Sequence, residues 1–270
     1  MLRALVFEKT SNPNKLERKH VSHRSLDDTD LPGDTAITAT SKFTVVQDST
    51  TGDDPGVLCY KGDLEGLRDL LSKGADPNGI YQHYPLSIIA LQAQSTMKII
   101  YTLQMIRAFN GKIEIRDPQL KRTVLLESAS KLMIRELDYV KNYPNLIQWL
   151  VETNLFHIHE KDVDEGCGIL HFVVLTKHDK YIPSLLMKCI GLGADPRSED
   201  FKGYNALAYI VKAKSLSTLM EIMDKVPPMR DIEVLQRAIA KTSWMSKKRS
   251  YLKRWLTLSK DCDLHRYHSI

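Results

Sequence analysis

The stretch KGDLEGLRDLLSKGADPN, residues 61–78, sets the reading of the whole chain. Leu64, Leu67, Leu70 and Leu71 recur at the three- and four-residue spacing that gathers side chains on one helical face, and Glu65, Arg68, Asp69 and Lys73 occupy the other. Asp63 is suited to accept from the free N–H groups of the first turn, Gly74 to end the helix in the left-handed conformation, and Pro77 to prevent its resumption. A helix of about ten residues makes too few hydrogen bonds to offset its own nucleation. Its leucine face must therefore rest on a neighbour, and the stretch reads as one member of a stack.

A second copy of the closing turn supports that reading. GLGADPRSED, residues 191–200, echoes SKGADPNGIY, residues 72–81, and each follows an apolar helix, LEGLRDLL in one case and IPSLLMKCI in the other. Asp76 and Asp195 stand 119 residues apart, about three units of about forty. Short helices fill the interval: YPLSIIAL from Tyr84, RTVLLESA from Arg122, CGILHFVV from Cys167 and GYNALAYI from Gly203. Their leucines Leu86, Leu125, Leu170 and Leu207 are spaced 39, 45 and 37 residues apart. A longer amphipathic helix follows each: MKIIYTLQMIRAF, NLIQWLVETN, YIPSLLMKCIG and LSTLMEIMDKV. The unit is helix, turn, helix, loop.

On these residues the chain resembles the ankyrin-repeat family, whose pattern opens with a turn and Thr-Pro-Leu-His and closes with Leu-Leu, Gly-Ala-Asp and an Asn-bearing turn. YPLSIIAL and GILHFVVL correspond to the opening, and LLSKGADPN and IGLGADPRSED to the close, over about residues 55–226. The second and third units lack the Gly-Ala-Asp close, which implies lengthened second helices or finger loops. The resemblance implies an all-α solenoid of four to five helix-turn-helix repeats over residues 53–226, each pair stable only against its neighbours. Residues 227–270 are then capping helices with a basic tail, where Leu235, Ile239, Leu252, Trp255 and Leu256 cover the last apolar face. Residues 1–52, rich in Ser, Thr, Asp, Asn and Pro, read as a mainly disordered or loosely docked arm, with TAITATSKFTVV as its one strand-like segment.

A chain of 270 residues, 43% hydrophobic and 26% charged, has enough apolar side chains for a sizeable core. No run approaches the ~18 apolar residues of a membrane span, and MLRALVFEK meets Glu8 too early for an ordinary secretory signal. Cys59, Cys167, Cys189 and Cys262 lie far apart, as suits reduced, buried thiols. The expectation is a cytoplasmic protein, with a nucleus or the interior of a host cell as further destinations. The net charge of +5 is uneven: Lys241, Lys247, Lys248, Arg249, Lys253, Arg254 and Lys260 follow one another with no intervening acid.

The densest polar cluster, HIHEKDVDEGCGILH at residues 157–171, invites a metal or thiolate–histidine reading. Its spacing fits no standard zinc site, and His171 falls where the resemblance places a histidine that hydrogen-bonds the neighbouring turn. Cys262, His265 and His268 supply only three ligands. There is no Gly-rich phosphate loop, nucleophile elbow or H-E-x-x-H run. No catalytic residue, metal, cofactor or small-molecule substrate is expected.

The function implied is therefore non-enzymatic protein binding through a concave face and finger loops. Its candidate residues are Tyr81, His83 and Tyr84 in the first finger, and Arg116, Asp117, Gln119 and Lys121 in the second. His159, Lys161 and Asp164 follow in the third, and Glu199, Phe201 and Tyr204 in the fourth. Two readings compete with it. One is an enzyme-like or toxin-like effector, of the kind pathogens deliver into host cells, with chemistry near Cys167 and His171. The other is a membrane-surface or nucleic-acid helix in residues 241–260, whose cations otherwise form a solvated outer face.

Overall fold

The computed structural model describes residues 54–267 except 94, 120, 154 and 244, with side chains described as far as Lys260. The arm assigned to residues 1–52 lies outside the described residues. What is described is helical almost throughout: α1 (Pro55–Lys61), α2 (Leu64–Ser72), α3 (Leu86–Ala90), α4 (Thr96–Ala108), α5 (Val124–Ser130), α6 (Leu137–Glu152), α7 (Ile169–Val174), α8 (Ile182–Gly191), α9 (Ala206–Ala213), α10 (Leu216–Lys225), α11 (Ile232–Ala240) and α12 (Lys247–Tyr267). One hairpin, β1 (Ile80–Tyr81) with β2 (Tyr84–Pro85), lies between α2 and α3. No helix among the described residues is long and apolar enough to cross a membrane.

Local chemistry sets the helix ends. Asp54, Asp63, Thr123, Asn205, Ser215 and Asp231 each accept a first-turn N–H with the side chain. The sequence reading missed α1, although Asp54 followed by Pro55 is a cap and a favoured first helical residue, and Gly62, at φ 65°, is a stop. Gly74 and Gly193 take φ of 97° and 103°, as expected of the repeated turn. The Ala75 N–H reaches the Leu70 carbonyl at 3.0 Å, and the Ala194 N–H reaches that of Cys189 at 3.0 Å. The same closure follows α4, with Asn110 at φ 62° in glycine's place and the Gly111 N–H on the Ile106 carbonyl at 2.8 Å. Asparagine's tolerance of the left-handed region is the signal that the missing Gly-Ala-Asp concealed.

Helix contacts fall into two rows. In one, α1 meets α3, α3 meets α5, α5 meets α7, α7 meets α9 and α9 meets α11; in the other, α2 meets α4, α4 meets α6, α6 meets α8, α8 meets α10 and α10 meets α12. Between the rows lies an apolar layer that includes Leu67, Ile88, Leu103, Leu125, Leu146, Phe172, Leu185, Leu207, Ile222 and Leu235, all buried. Because α11 and α12 extend both rows, residues 227–260 add a further helix pair. Within it Leu235, Ile239 and Leu252 are buried, whereas Trp255 and Leu256 are only half-buried. Leu70 is also half-buried, so Leu67 and Leu71 carry the apolar face of α2. The sequence reading starts the long helix of the middle unit at Asn145, but α6 runs through Pro144 from Leu137. An internal proline costs about 3 kcal/mol. Burial of Tyr139, Val140, Tyr143, Leu146, Ile147 and Leu150 along one stripe offsets it.

Two polar devices join neighbouring pairs. At the far ends of the first-row helices, a cation from the next pair meets carbonyls at the end of the helix. Arg135 donates to Leu91 at 2.7 Å, Lys177 to Ile134 at 3.3 Å, Lys214 to Thr176 at 2.6 Å and Lys248 to Val211 at 2.7 Å. Deep in the middle, Arg122, Glu127, Lys131 and Asp162 are all buried. Lys131 lies 3.1 Å from Glu127, Arg122 lies 3.5 Å from Asp162, and the Arg122 guanidinium sits 5.0 Å above the Phe172 ring. Burial lowers the Lys131 pKa against the opposing pull of Glu127.

Candidate binding surface

The loops that lead into α3, α5, α7 and α9 are short hairpin-like fingers. In the first, Gln82 and His83 have φ of 49° and 72°, the paired left-handed turn that suits two twisted strands. In the second, the Asp117 N–H bonds the Arg122 carbonyl at 2.7 Å and Lys121 turns at φ 54°. Single antiparallel bridges, Lys161 with Gly168 and Glu199 with Asn205, close the third and fourth.

The fingers are tied to one another. The Asn78 side chain accepts the Lys112 N–H at 2.8 Å, Lys161 donates to the Glu199 carbonyl at 2.6 Å, and the Phe201 N–H reaches the Glu165 carbonyl at 2.9 Å. Lys202 pairs with Glu165 at 3.1 Å. An open groove of about 490 Å³ lies between the third and fourth fingers and α11, lined by His159, Lys161, Asp195, Arg197, Ser198, Glu199, Glu233 and Arg237. Its charges are largely matched. Arg197 holds Asp231 at 2.7 Å and Glu233 at 3.4 Å, and Arg237 bonds Glu233 and, at 3.4 Å, Glu199. The Arg197 hydrogen bond holds the Asp231 carboxyl below its ordinary pKa.

Of the residues selected from sequence, His83, Arg116, Gln119, Lys121, His159, Lys161, Asp164 and Phe201 are exposed, and Tyr81, Glu199 and Tyr204 are half-buried. Tyr84 and Asp117 are buried, which corrects their assignment to the surface. Tyr84 pairs with Tyr81 beside the two-residue turn but is itself buried, and Asp117 turns inward to cap its own loop, accepting the Gln119 N–H at 2.7 Å. Tyr204 is clamped by the ammonium groups of Lys212, 3.8 Å from its ring centre, and Lys241, at 5.0 Å. Sequence reasoning missed Arg197 and Arg237, which meet only in the fold. It also missed Ile80, 61% exposed, and Val163, 51% exposed. A branched apolar residue within a polar finger was their one signal.

Cys167 and His171 are both buried. The thiol is buried 3.8 Å from the Tyr209 hydroxyl, and burial pushes its pKa up to about 12, away from thiolate reactivity. His171 accepts the Gly168 N–H at Nδ1 over 3.1 Å, and its Nε2 meets the Tyr204 carbonyl at 2.9 Å, so both ring nitrogens are engaged. Burial lowers its pKa. Cys59, Cys167 and Cys189 carry free, buried thiols. Among the described residues no three His, Cys, Asp or Glu side chains converge as metal ligands; the Cys262, His265 and His268 run lies outside the described side chains. Within the basic segment, Lys248 and Arg249 turn inward to carbonyls, the latter to Thr242 at 2.9 Å, and do not join the solvated outer face.

No family model and no curated protein matches the chain. Among solved structures, the complex of a predatory endopeptidase from Bdellovibrio bacteriovorus with an immunity protein is similar in fold. The match has a TM-score of 0.50 and 13% identity, over 76% of this chain and 98% of that one.

Proposed function

We propose that the chain is an ankyrin-like repeat array that binds a protein partner through its fingers and the groove beside them, without chemistry of its own. The observation that carries this reading is the exposure of large apolar side chains on three fingers, Ile80 on the first strand of its hairpin and Val163 and Phe201 in the turns of theirs, the last 69% exposed. Singly exposed apolar side chains are ordinary on protein surfaces; these favour a partner because they recur on the fingers, where large apolar side chains serve as interface anchors. The finger-to-finger hydrogen bonds support it further, because a tethered loop loses less entropy on binding. The matched ion pairs of the groove offer hydrogen bonding around these anchors, as a polar rim does. The free thiols favour action in a reducing cytoplasm, that of its own cell or of a host.

The test is affinity capture with the full chain, beside a Val163→Asp/Phe201→Asp variant of equal melting temperature. The captured partner should be lost from the variant. Equal capture by both would remove the fingers from the interface. Loss of activity in a folded Cys167→Ser variant would instead favour an enzyme.

A further inference from the structure

A second surface lies on the outer face of α12, away from the fingers. This helix packs against α10 and α11 through Leu252 and the half-buried Tyr251, Trp255, Leu256 and Ser259. The opposite face carries Lys247, Lys253, Arg254 and Lys260, all exposed, with no ion pair to any described residue. Lys247, Arg254 and Leu258 follow at spacings of seven and four, which places them on one stripe; Lys253 and Lys260, seven apart, form a second about 100° further round the helix, with the exposed Ser250 and Thr257 between the two. Two apolar side chains flank these cations: Met245, 74% exposed, just before the helix, and Leu258, 47% exposed, near the other end. The acid-free run ends at Lys260, before Asp261.

We propose that this face docks the protein on an anionic lipid surface. Four cations without an ion pair to any described residue, over about 20 Å of helix, match closely spaced headgroup charges. Met245 and Leu258 have the chemistry to enter the acyl boundary beside them. Single-stranded nucleic acid would draw on exposed aromatics for stacking, but the described aromatics of this helix turn inward; a duplex would make no use of Met245 and Leu258. Trp255 is half-buried with the Arg230 guanidinium 4.4 Å from its ring centre, and Tyr251 is half-buried too. Attachment of this kind is reversible and salt-sensitive, and it leaves the fingers free.

The experiment is flotation of the full chain with phosphatidylcholine vesicles containing about 30 mol% phosphatidylserine, at about 0.15 M salt. Binding is expected there, and not to phosphatidylcholine alone. The variant Lys247→Gln/Lys253→Gln/Arg254→Gln/Lys260→Gln should weaken it about a hundredfold. Met245→Ser/Leu258→Ser should weaken it about tenfold at unchanged salt dependence. None of these side chains packs inward, so the melting temperature should hold. No flotation of the folded wild-type chain would overturn the proposal. So would binding unaffected by the Gln substitutions, or tight binding to a DNA or RNA duplex with none to vesicles.

Discussion

The ammonium of Lys248 donates to the carbonyl of Val211 at 2.7 Å and also bonds that of Lys214, tying α12 to the end of α9. Burial lowers its pKa, so the charge is held there by the carbonyls and the helix end it faces. Lys248→Gln should therefore destabilise by about 1–2 kcal/mol, and Lys253→Gln by less than about 0.5 kcal/mol. Urea melts of the two variants decide the matter. Equal effects would show that the contact contributes nothing.

Leu67 and Leu71 face inward while Leu70 is half-buried. Leu71→Ala should cost about 2–5 kcal/mol and Leu70→Ala clearly less. The reverse order in thermal melts would mean that α2 is rotated about its axis.

Gly74 sits at φ 97° with open space around it, so a methyl group there meets strain and no clash. Gly74→Ala should cost about 1–2 kcal/mol. Gly191, at the end of α8 with equally open space, is the control. Gly191→Ala should be neutral or stabilising by up to about 1 kcal/mol. Matching losses in both variants would remove the backbone explanation.

His171 has a folded pKa below its ordinary 6.5 because burial disfavours the imidazolium. Between the two values the unfolded chain binds the proton and the folded one does not. Stability should therefore fall as pH drops below about 6.5, by at most about 1.4 kcal/mol per pH unit from this group. His171→Asn should be less stable at neutral pH and show a shallower loss on acidification. Parallel pH profiles for wild type and variant would assign the acid sensitivity elsewhere.

Glu127 is the acid between the buried cations Lys131, at 3.1 Å, and Arg122, at 3.8 Å. Glu127→Gln should cost about 3–5 kcal/mol by leaving those charges under-compensated. Adding Lys131→Met should recover part of that. A double variant no better than the single one would show that hydrogen bonding to Glu127, and not its charge, is what matters.

The helices were legible where their signals were local. The leucine spacing of residues 64–71 and the paired Gly-Ala-Asp-Pro turns gave α2, α8 and their left-handed ends. Pro144 misled because its local cost is outweighed by a buried stripe visible only once α4 and α8 flank α6. Side-chain direction within the loops was not legible. Tyr84 and Asp117 look like surface residues in sequence and are buried by hairpin geometry. Arg197 and Arg237 stand forty residues apart and meet only through the packing of α11 on α9. The cation contacts at helix ends escaped notice for the same reason: each pairs a residue with a carbonyl dozens of positions earlier.

The two-row arrangement has a kinetic consequence. The extensive helix contacts among the described residues join elements no more than two helices apart, so no distant stretches of chain must find each other before any of them gains stability. Folding can start at whichever pair is locally strongest and spread in both directions, quickly for a chain of this length. By the same token the ends open first. A defect placed centrally, at α5 or α6, would divide one cooperative melting transition into two.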